Sequence, residues 1–380
     1  MINGIFNKFF HSEKSGGILL IACTCLSLII SNLTIGQDYI SFWNIDLLGM
    51  SLLQWINDGF MTIFFLMVGL ELEREIFIGE LSSFKNAIVP VTAAAGGMLV
   101  PALFYFLFNQ GSVYEKGFGI PMATDIAFSL TILSLFSKRV PFGLRIFLTA
   151  LAIADDLGAI LVIALFYSTD ISWMYLSLSL GLFAGMFIMG KLKVYALWPY
   201  MIGGVLMWYC THHSGIHATI SGVMLAFAIP FGKGENGPSY KLQSFLHVPV
   251  AFIILPLFAL ANTCISITEI ALDDMYVAGV YGTIAGLVIG KPAGIFIFTY
   301  LSKKLFHLTL PSGVSFKHVL GAGIVAGIGF TMSIFITDLA FSNDFYIKQI
   351  KLAILLCAFV SSFCGILYFR LFIPKTEAAA

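Results

Sequence analysis

The chain has 380 residues, of which 59% are hydrophobic and only 11% are charged, and its formal net charge is zero. Soluble domains carry about 25% charged residues, so this composition excludes an ordinary soluble domain, and the absence of a basic stripe argues against a nucleic-acid-binding protein. Uncharged apolar runs recur along the whole chain, each long enough to cross about 30 Å of hydrocarbon as a helix. We therefore predict an all-α polytopic membrane protein with a single transmembrane domain over residues 1–380.

About twelve candidate spans follow one another, separated by turn residues and charges. They cover residues 17–35, 56–77, 87–108, 119–136, 141–167, 173–190, 194–210, 214–230, 247–264, 276–300, 318–341 and 346–372. If both termini are cytoplasmic, most of the 20 Lys and Arg residues fall in inner segments, and Lys116, Lys348 and Lys351 fall in outer ones. The positive-inside rule therefore favours an even number of spans and two cytoplasmic termini.

Four charged residues, Asp125, Asp155, Asp156 and Lys291, lie deep inside apolar runs. A charge at the bilayer centre costs about 2.5–3.5 kcal/mol on insertion scales, and Lys291 is too far from either end of its span for its side chain to reach water. These side chains must face the protein interior or a water-filled cavity. An Asp–Lys pair that only pins helices together is an alternative, but it leaves two carboxylates unmatched.

The adjacent residues Asp155 and Asp156 project about 100° apart on a helix. One of them is expected to pair with Lys291 and the other to face Asp125 across a cavity, and the spacing leaves open which does which. Two facing carboxylates repel each other, so the site binds either a proton or a small hard cation. Oxygen ligands suit Na⁺ or Li⁺, and no His or Cys cluster suits a transition metal.

Exchange of Na⁺ or Li⁺ for protons is therefore the predicted activity, and three alternatives remain. A sodium-coupled symporter of an organic anion would need more polar residues at the midplane than the sequence offers. A channel would need rings of carbonyls or charges along a continuous pore. An auxiliary structural subunit would not explain the buried acids.

Two of the spans carry residues that break helices. Residues 117–125 contain two glycines and Pro121, and residues 321–333 contain four glycines. Unwound backbone is tolerated at membrane depth where it lines a cavity. Interrupted spans in corresponding positions indicate two related halves with a binding site between them.

The motifs "INDGFMTIFFLMVGLELEREI", "MATDIAFSL", "IADDLGAI", "SGIHATISGV", "IGKPAGI" and "GIGFTMSIFI" resemble those of the NhaA-type bacterial Na⁺/H⁺ antiporters, a standard example of inverted-topology repeats with broken helices. The resemblance implies twelve helices, with the fourth and eleventh discontinuous and crossing near the midplane. It implies that Asp156 is the principal Na⁺ ligand, that Asp155 pairs with Lys291 in a proton-linked lock, and that Asp125 with Thr124 balances the half-helix ends, Thr124 contributing an oxygen.

The same resemblance implies an electrogenic antiporter of the bacterial inner membrane, used for sodium and pH homeostasis, that is not an enzyme and has no cofactor. Its partners are Na⁺, Li⁺ and H⁺ as substrates, the lipid bilayer, and a second copy of the chain bound through the outer connection 37–55. That connection is a β-hairpin in the family, although the sequence alone equally allows an interfacial helix. Residues that match the family's pH-response positions are Glu71, Arg74, Glu75, His217 and His247. Glu73, Gln243 and Ser244 depart from the family's pattern, which weakens the expectation of strong activation by alkaline pH.

Overall fold

The computed structural model describes residues 13–136, 139–168, 170–232, 234–267, 270–306, 308 and 310–374. Its helices, in chain order, are α1 Glu13–Ser31, α2 Gly36–Trp43, α3 Leu52–Phe77, α4 Phe84–Asn109, α5 Ile126–Ser134, α6 Phe142–Phe166, α7 Trp173–Lys191, α8 Trp198–His212, α9 Ile220–Ala228, α10 Pro238–Asn262, α11 Ala278–Phe306, α12 Phe316–Ala326, α13 Phe330–Ala340 and α14 Asp344–Phe372. A 3-10 segment, Glu115–Met122, precedes α5. The short strands β1 Asp46–Leu47 and β2 Met50–Ser51 pair in antiparallel orientation.

Long apolar helices dominate the part of the chain that the structure describes. Eight helical runs there are long and apolar enough to cross a membrane, and α12 with α13, bent by 47°, makes up to nine. Large apolar side chains such as Phe142, Leu165 and Trp173 are exposed on the surface, as expected of a face that contacts lipid. The chain is therefore a mostly helical, multi-pass membrane protein, as predicted.

Two predicted spans correspond to shorter helices than expected, because α8 has 15 residues and α9 only nine. The helix α1 is shifted instead: it has 19 residues and ends at Ser31 rather than near residue 35. Conversely, α10 begins at Pro238, well before the predicted start of that span at residue 247. The chain ends, whose cytoplasmic location is part of the prediction, lie outside the described residues.

The helices form two packed groups. The first helix group consists of α3, α7, α8, α9 and α10, and the second consists of α4, α5, α6, α11, α12, α13, α14 and the 3-10 segment. α1 lies between them, since it packs on α10 and on α5. Close packing inside the second group requires small residues: a Cβ at Gly294 of α11 would overlap the backbone of Gly96 in α4.

The outer connection 37–55 contains both a short helix and a hairpin. The short helix α2 is followed by the β1–β2 hairpin, whose turn places Leu48 and Gly49 at positive φ. Trp55 anchors the hairpin, because its indole Nε1 donates a hydrogen bond to the Leu47 carbonyl at 2.8 Å. We call the end of the helix bundle that carries this hairpin the outer end, and the opposite end, predicted to face the cytoplasm, the inner end.

Two segments that the sequence marked with glycine and proline are broken in the structure. In one, the 3-10 segment is followed by extended backbone from Ala123 to Asp125 before α5 begins. In the other, residues 327–329 separate α12 from α13. Gly329 leaves room for the close approach of the two breaks, since a Cβ there would lie 3.1 Å from the Ala123 carbonyl oxygen.

Candidate functional site

The two broken segments meet at their breaks and satisfy each other's backbone. The Asp125 amide donates to the Ile328 carbonyl at 2.8 Å. Ser129 of α5 donates to the Val325 carbonyl of α12 at 3.1 Å, and Ser333 of α13 donates to the Ile120 carbonyl of the 3-10 segment at 2.7 Å. Unpaired backbone groups are costly in an apolar surrounding, so these reciprocal bonds allow both helices to be interrupted.

Asp125 lies between the N-termini of the two half-helices that follow the breaks. Its Oδ1 accepts from the Phe128 amide at 2.8 Å and caps α5. Its Oδ2 accepts from the Thr331 amide at 3.1 Å and from the Thr331 hydroxyl at 2.7 Å in the first turn of α13. One carboxylate thus meets the positive ends of two helix dipoles, and its charge is compensated locally.

Asp155 has one oxygen paired with protein groups, whereas its Oδ1 accepts no hydrogen bond from the described residues. Its Oδ2 lies 3.0 Å from Lys291 Nζ and accepts from the Thr124 hydroxyl at 2.8 Å, and both charged side chains are fully buried. Lys291 Nζ also donates to the Met122 carbonyl at the end of the 3-10 segment. Thr124 lies in the extended stretch between that segment and α5, so the break places both a carbonyl and a hydroxyl beside the ion pair.

Asp156 has a different environment from its neighbour. It is 1% exposed, and its Oδ1 accepts no hydrogen bond within the described part of the chain. It lines a cavity of about 130 Å³ together with Thr124, Asp125 and Thr331. A carboxylate oxygen without a partner inside a cavity lined by other oxygen atoms is suited to a hard cation or a proton.

The cavity extends from Asp156 to the inner end of the bundle, where Glu71 and His247 line it. Arg74, one turn beyond Glu71, lies 4.0 Å from Glu71 and 3.2 Å from Glu75. Four of the five predicted pH-response residues therefore lie at or near the inner mouth of the cavity that holds Asp156.

His217 lies away from that mouth, near the outer end. Its Nδ1 is 2.9 Å from the Thr219 hydroxyl, its Nε2 is 3.5 Å from Asp58, and its ring packs edge-on against Phe335. The structure therefore does not bring His217 together with the other four candidates.

Two buried polar contacts were not predicted from the sequence. Glu73 is 5% exposed and accepts a hydrogen bond from the Ser239 hydroxyl, which joins α3 to α10. Lys351, assigned to an outer segment from its charge, is instead 6% exposed and lies 2.7 Å from Asp338. The available signal was that both Lys351 and Asp338 fall inside predicted spans, where a charge needs a partner.

Comparison with known proteins gives close relatives over nearly the whole chain. The family model described as Na⁺/H⁺ antiporter 1 matches residues 7–369. A Na⁺/H⁺ antiporter NhaA 1 from Flavobacterium johnsoniae is 54% identical over 366 residues, with 96% of each chain covered. A Na⁺/H⁺ antiporter NhaA from Dechloromonas aromatica is 50% identical, covering 97% of this chain and 96% of the relative. One from Vibrio cholerae is 42% identical, covering 99% and 100%.

A distant likeness to a solved structure also exists. The structure of the sodium proton antiporter MjNhaP1 from Methanocaldococcus jannaschii at pH 8 aligns with a TM-score of 0.49 and 15% identity, covering 93% of this chain and 98% of that chain. The close sequence relatives, rather than this likeness, carry the family assignment.

Proposed function

The chain belongs to the Na⁺/H⁺ antiporter 1 family, a family of transporters rather than enzymes, and we propose that it exports Na⁺ or Li⁺ in exchange for inward-moving protons by alternating access around Asp156. The observation that carries this proposal is the Asp156 carboxylate, whose Oδ1 has no partner among the described residues, in a cavity that extends to the inner end. Na⁺ or Li⁺ enters from the cytoplasm and binds Asp156, with Thr124 as a further oxygen ligand. Protons that enter from the outside replace the cation on the return step.

The Asp155–Lys291 pair supplies the second titrating unit. When a cation binds beside Asp155, it competes with Lys291 for the carboxylate that the ammonium contacts at 3.0 Å. The weakened pair then releases a proton from Lys291, because a buried amine without its counter-charge loses its proton more readily. Together with the proton displaced from Asp156, more than one proton moves per cation, and the exchange is electrogenic.

The size of the cavity favours an inorganic cation over an organic substrate. The cavity of about 130 Å³ is smaller than the roughly 300–1,000 Å³ of pockets that hold organic ligands. An organic anion would need a larger pocket, so the symporter alternative is not retained.

The same proposal includes the number of spans, the cellular location, the pH response and the association of two copies. The chain has twelve spans in two inverted repeats, and the repeat relation is supported by the reciprocal bonds of Ser129 and Ser333, which occupy corresponding positions in the two broken segments. Both chain ends lie in the cytoplasm and the protein lies in the bacterial inner membrane.

The activity responds to cytoplasmic pH through four residues at the inner mouth of the cavity, Glu71, Arg74, Glu75 and His247, so that the protein serves sodium and pH homeostasis. Two copies associate through the outer hairpin.

The test uses everted membrane vesicles whose interior is acidified by respiration. Added NaCl or LiCl should discharge the pH gradient without any organic solute, while choline chloride should not. Asp156→Asn keeps the size of the side chain and removes its charge, so it should abolish the response. Glu115→Gln is the matched control, because Glu115 is an acid near the outer end that does not line the Asp156 cavity. This variant should respond to Na⁺ and Li⁺ normally.

Two results would overturn the proposal. One is the absence of a Na⁺ or Li⁺ response by folded wild-type protein at acidic, neutral and alkaline pH. The other is normal exchange by Asp156→Asn, which would remove Asp156 as the ligand.

A further inference from the structure

A second buried polar network lies near the outer end of the bundle. Lys351 Nζ contacts Asp338 Oδ1 at 2.7 Å and donates to Asn262 Oδ1 at 3.1 Å. Asn57 donates to Asp338 Oδ2 at 3.3 Å and to Asn262 Oδ1 at 3.3 Å, and it accepts from Asn262 Nδ2 at 2.8 Å. We call these four residues the outer clamp.

The outer clamp joins the two helix groups. Asp338 of α13 and Lys351 of α14 belong to the second group, whereas Asn57 of α3 and Asn262 of α10 belong to the first. The ion pair is therefore internal to the second group. Each of the two bonds between the groups joins a neutral side-chain amide to one of these charged residues: Asn57 to Asp338, and Asn262 to Lys351. Such an arrangement allows separation without leaving a charge unpaired, since Asp338 and Lys351 keep each other.

The clamp lies on the same helices as the cavity, two turns closer to the outer end. On each of three helices a cavity-lining residue is seven positions from a clamp residue, about 10 Å along the axis at 1.5 Å per residue. These pairs are Phe64 and Asn57 on α3, Leu255 and Asn262 on α10, and Thr331 and Asp338 on α13.

An aromatic layer fills the space between the cavity and the clamp. Phe65 of α3 packs against Phe335 of α13 with ring centroids 5.4 Å apart, and both rings are almost fully buried. Met61, one turn from Phe65 and one turn from Asn57, is also fully buried. In this arrangement the cavity reaches the inner end, while the aromatic layer and the clamp close it from the outer end.

We propose that the outer clamp is the gate that keeps the Asp156 site closed to the outside, and that its bonds between the helix groups break each time the site turns outward. This inference rests on the proposed transport by alternating access. Asn57 and Asn262 are positioning residues: they hold the inward-facing arrangement without touching the cation. Their loss shifts the population towards the outward-facing arrangement.

The test measures access from the outside rather than transport. In a background without the six native cysteines, Met61→Cys places a thiol between the aromatic layer and the clamp, and a membrane-impermeant maleimide is added to intact cells. Asn57→Ala and Asn262→Ala should each raise the labelling rate, and the double variant should raise it further. About ten- to a hundredfold per variant follows from the net worth of one hydrogen bond to a charged group.

Asn109→Ala is the matched control. Asn109 is fully buried near the outer end, but its Nδ2 donates to the Tyr105 carbonyl within α4 and does not join the two groups. This variant should leave the labelling rate unchanged. Thermal melting of every variant is measured in parallel, and the single variants carry the test if the double variant does not fold.

The proposal fails if the clamp variants melt at lower temperature while labelling stays at the wild-type rate, because the network would then be a structural pin. It also fails if Asn109→Ala raises labelling equally, which would indicate general loosening. Failure of the antiport proposal is a separate result, since wild-type vesicles would then lack a Na⁺ or Li⁺ response whatever the labelling shows.

Discussion

Asp155 and Asp156 are adjacent in α6, yet their carboxylates meet different surroundings. The 100° step between neighbours on a helix turns Asp155 towards Lys291 and Thr124 and turns Asp156 into the cavity. Each carboxylate has an Oδ1 with no partner among the described residues, but Asp155 has Lys291 as a counter-charge, whereas Asp156 lines the cavity. A difference of one position in the chain thus separates the ion pair with Lys291 from the proposed ion ligand.

Lys291→Met should reveal the energetic importance of this pair. Methionine keeps the length of the side chain but leaves the buried Asp155 charge uncompensated, and breaking a buried pair costs about 3–5 kcal/mol. The loss of unfolding free energy should be large at alkaline pH and smaller at acidic pH, because protonation removes the unpaired charge of Asp155. Thermal melting of the purified protein over a range of pH measures this difference.

Lys304→Met is the control for that experiment. Lys304 lies on the same helix, α11, but is exposed near its inner end, so its loss should change the melting temperature little at any pH. A Lys291→Met loss that did not depend on pH would mean that Asp155 carries no charge in the wild-type protein.

At the scale of helices, the broken segments depend on one shared cap. An ordinary N-cap costs about 0.5–2 kcal/mol when replaced by alanine. Asp125 serves α5 and α13 together through Phe128 and Thr331, so Asp125→Ala should cost about twice as much as the loss of a single cap. Asn343→Ala removes the cap of α14 alone, where the Asn343 side chain accepts from the Phe345 amide at 2.9 Å.

Chemical or thermal unfolding of Asp125→Ala and Asn343→Ala compares the stability that each variant loses. Because Asp125 lines the proposed ion path, stability rather than transport is the readout. Equal losses in the two variants would show that only one of the half-helices needs the Asp125 carboxylate.

The interruptions of these helices were predictable from local chemistry, but several helix ends were not. Pro121 and the glycines of residues 321–333 act through their own backbone preferences, which the sequence displays directly. The end of α1 depends instead on a distant partner: the Ser31 hydroxyl and the Asn32 side-chain Nδ2 both donate to the Ile265 carbonyl. Contacts across more than 200 residues leave no local pattern, so the predicted span continued to residue 35.

The contacts of the buried charges were likewise predictable from the sequence only in part. That buried acids must meet Lys291 follows from the cost of a charge in the membrane, and the structure places Asp155 with it. The pairing of Lys351 with Asp338 obeys the same rule but was missed, because Lys351 lies near a predicted span end where a lysine can reach water. Charges close to span ends are therefore ambiguous in sequence, whereas charges near span centres are not.

At the scale of the whole molecule, the outer hairpin extends away from both helix groups. Leu47 is 51% exposed and Leu48 is 88% exposed, and a two-stranded hairpin has unpaired edges that favour association with another strand. These features support the proposed homodimer, in which hairpins of two copies cover each other's leucines and edges.

Replacing Leu47 and Leu48 with serine should convert the dimer to a monomer, because it removes apolar area that only the partner covers. Light scattering of the protein in detergent measures the mass, and vesicle assays should show that exchange persists, since the hairpin lies outside the cavity that holds Asp156. Leu33→Ser with Ile35→Ser is the matched control: both residues are more than half exposed near the outer end but lie outside the hairpin. A hairpin variant that kept the dimer mass would place the interface elsewhere on the molecule, and a monomeric wild-type protein would remove the dimer altogether.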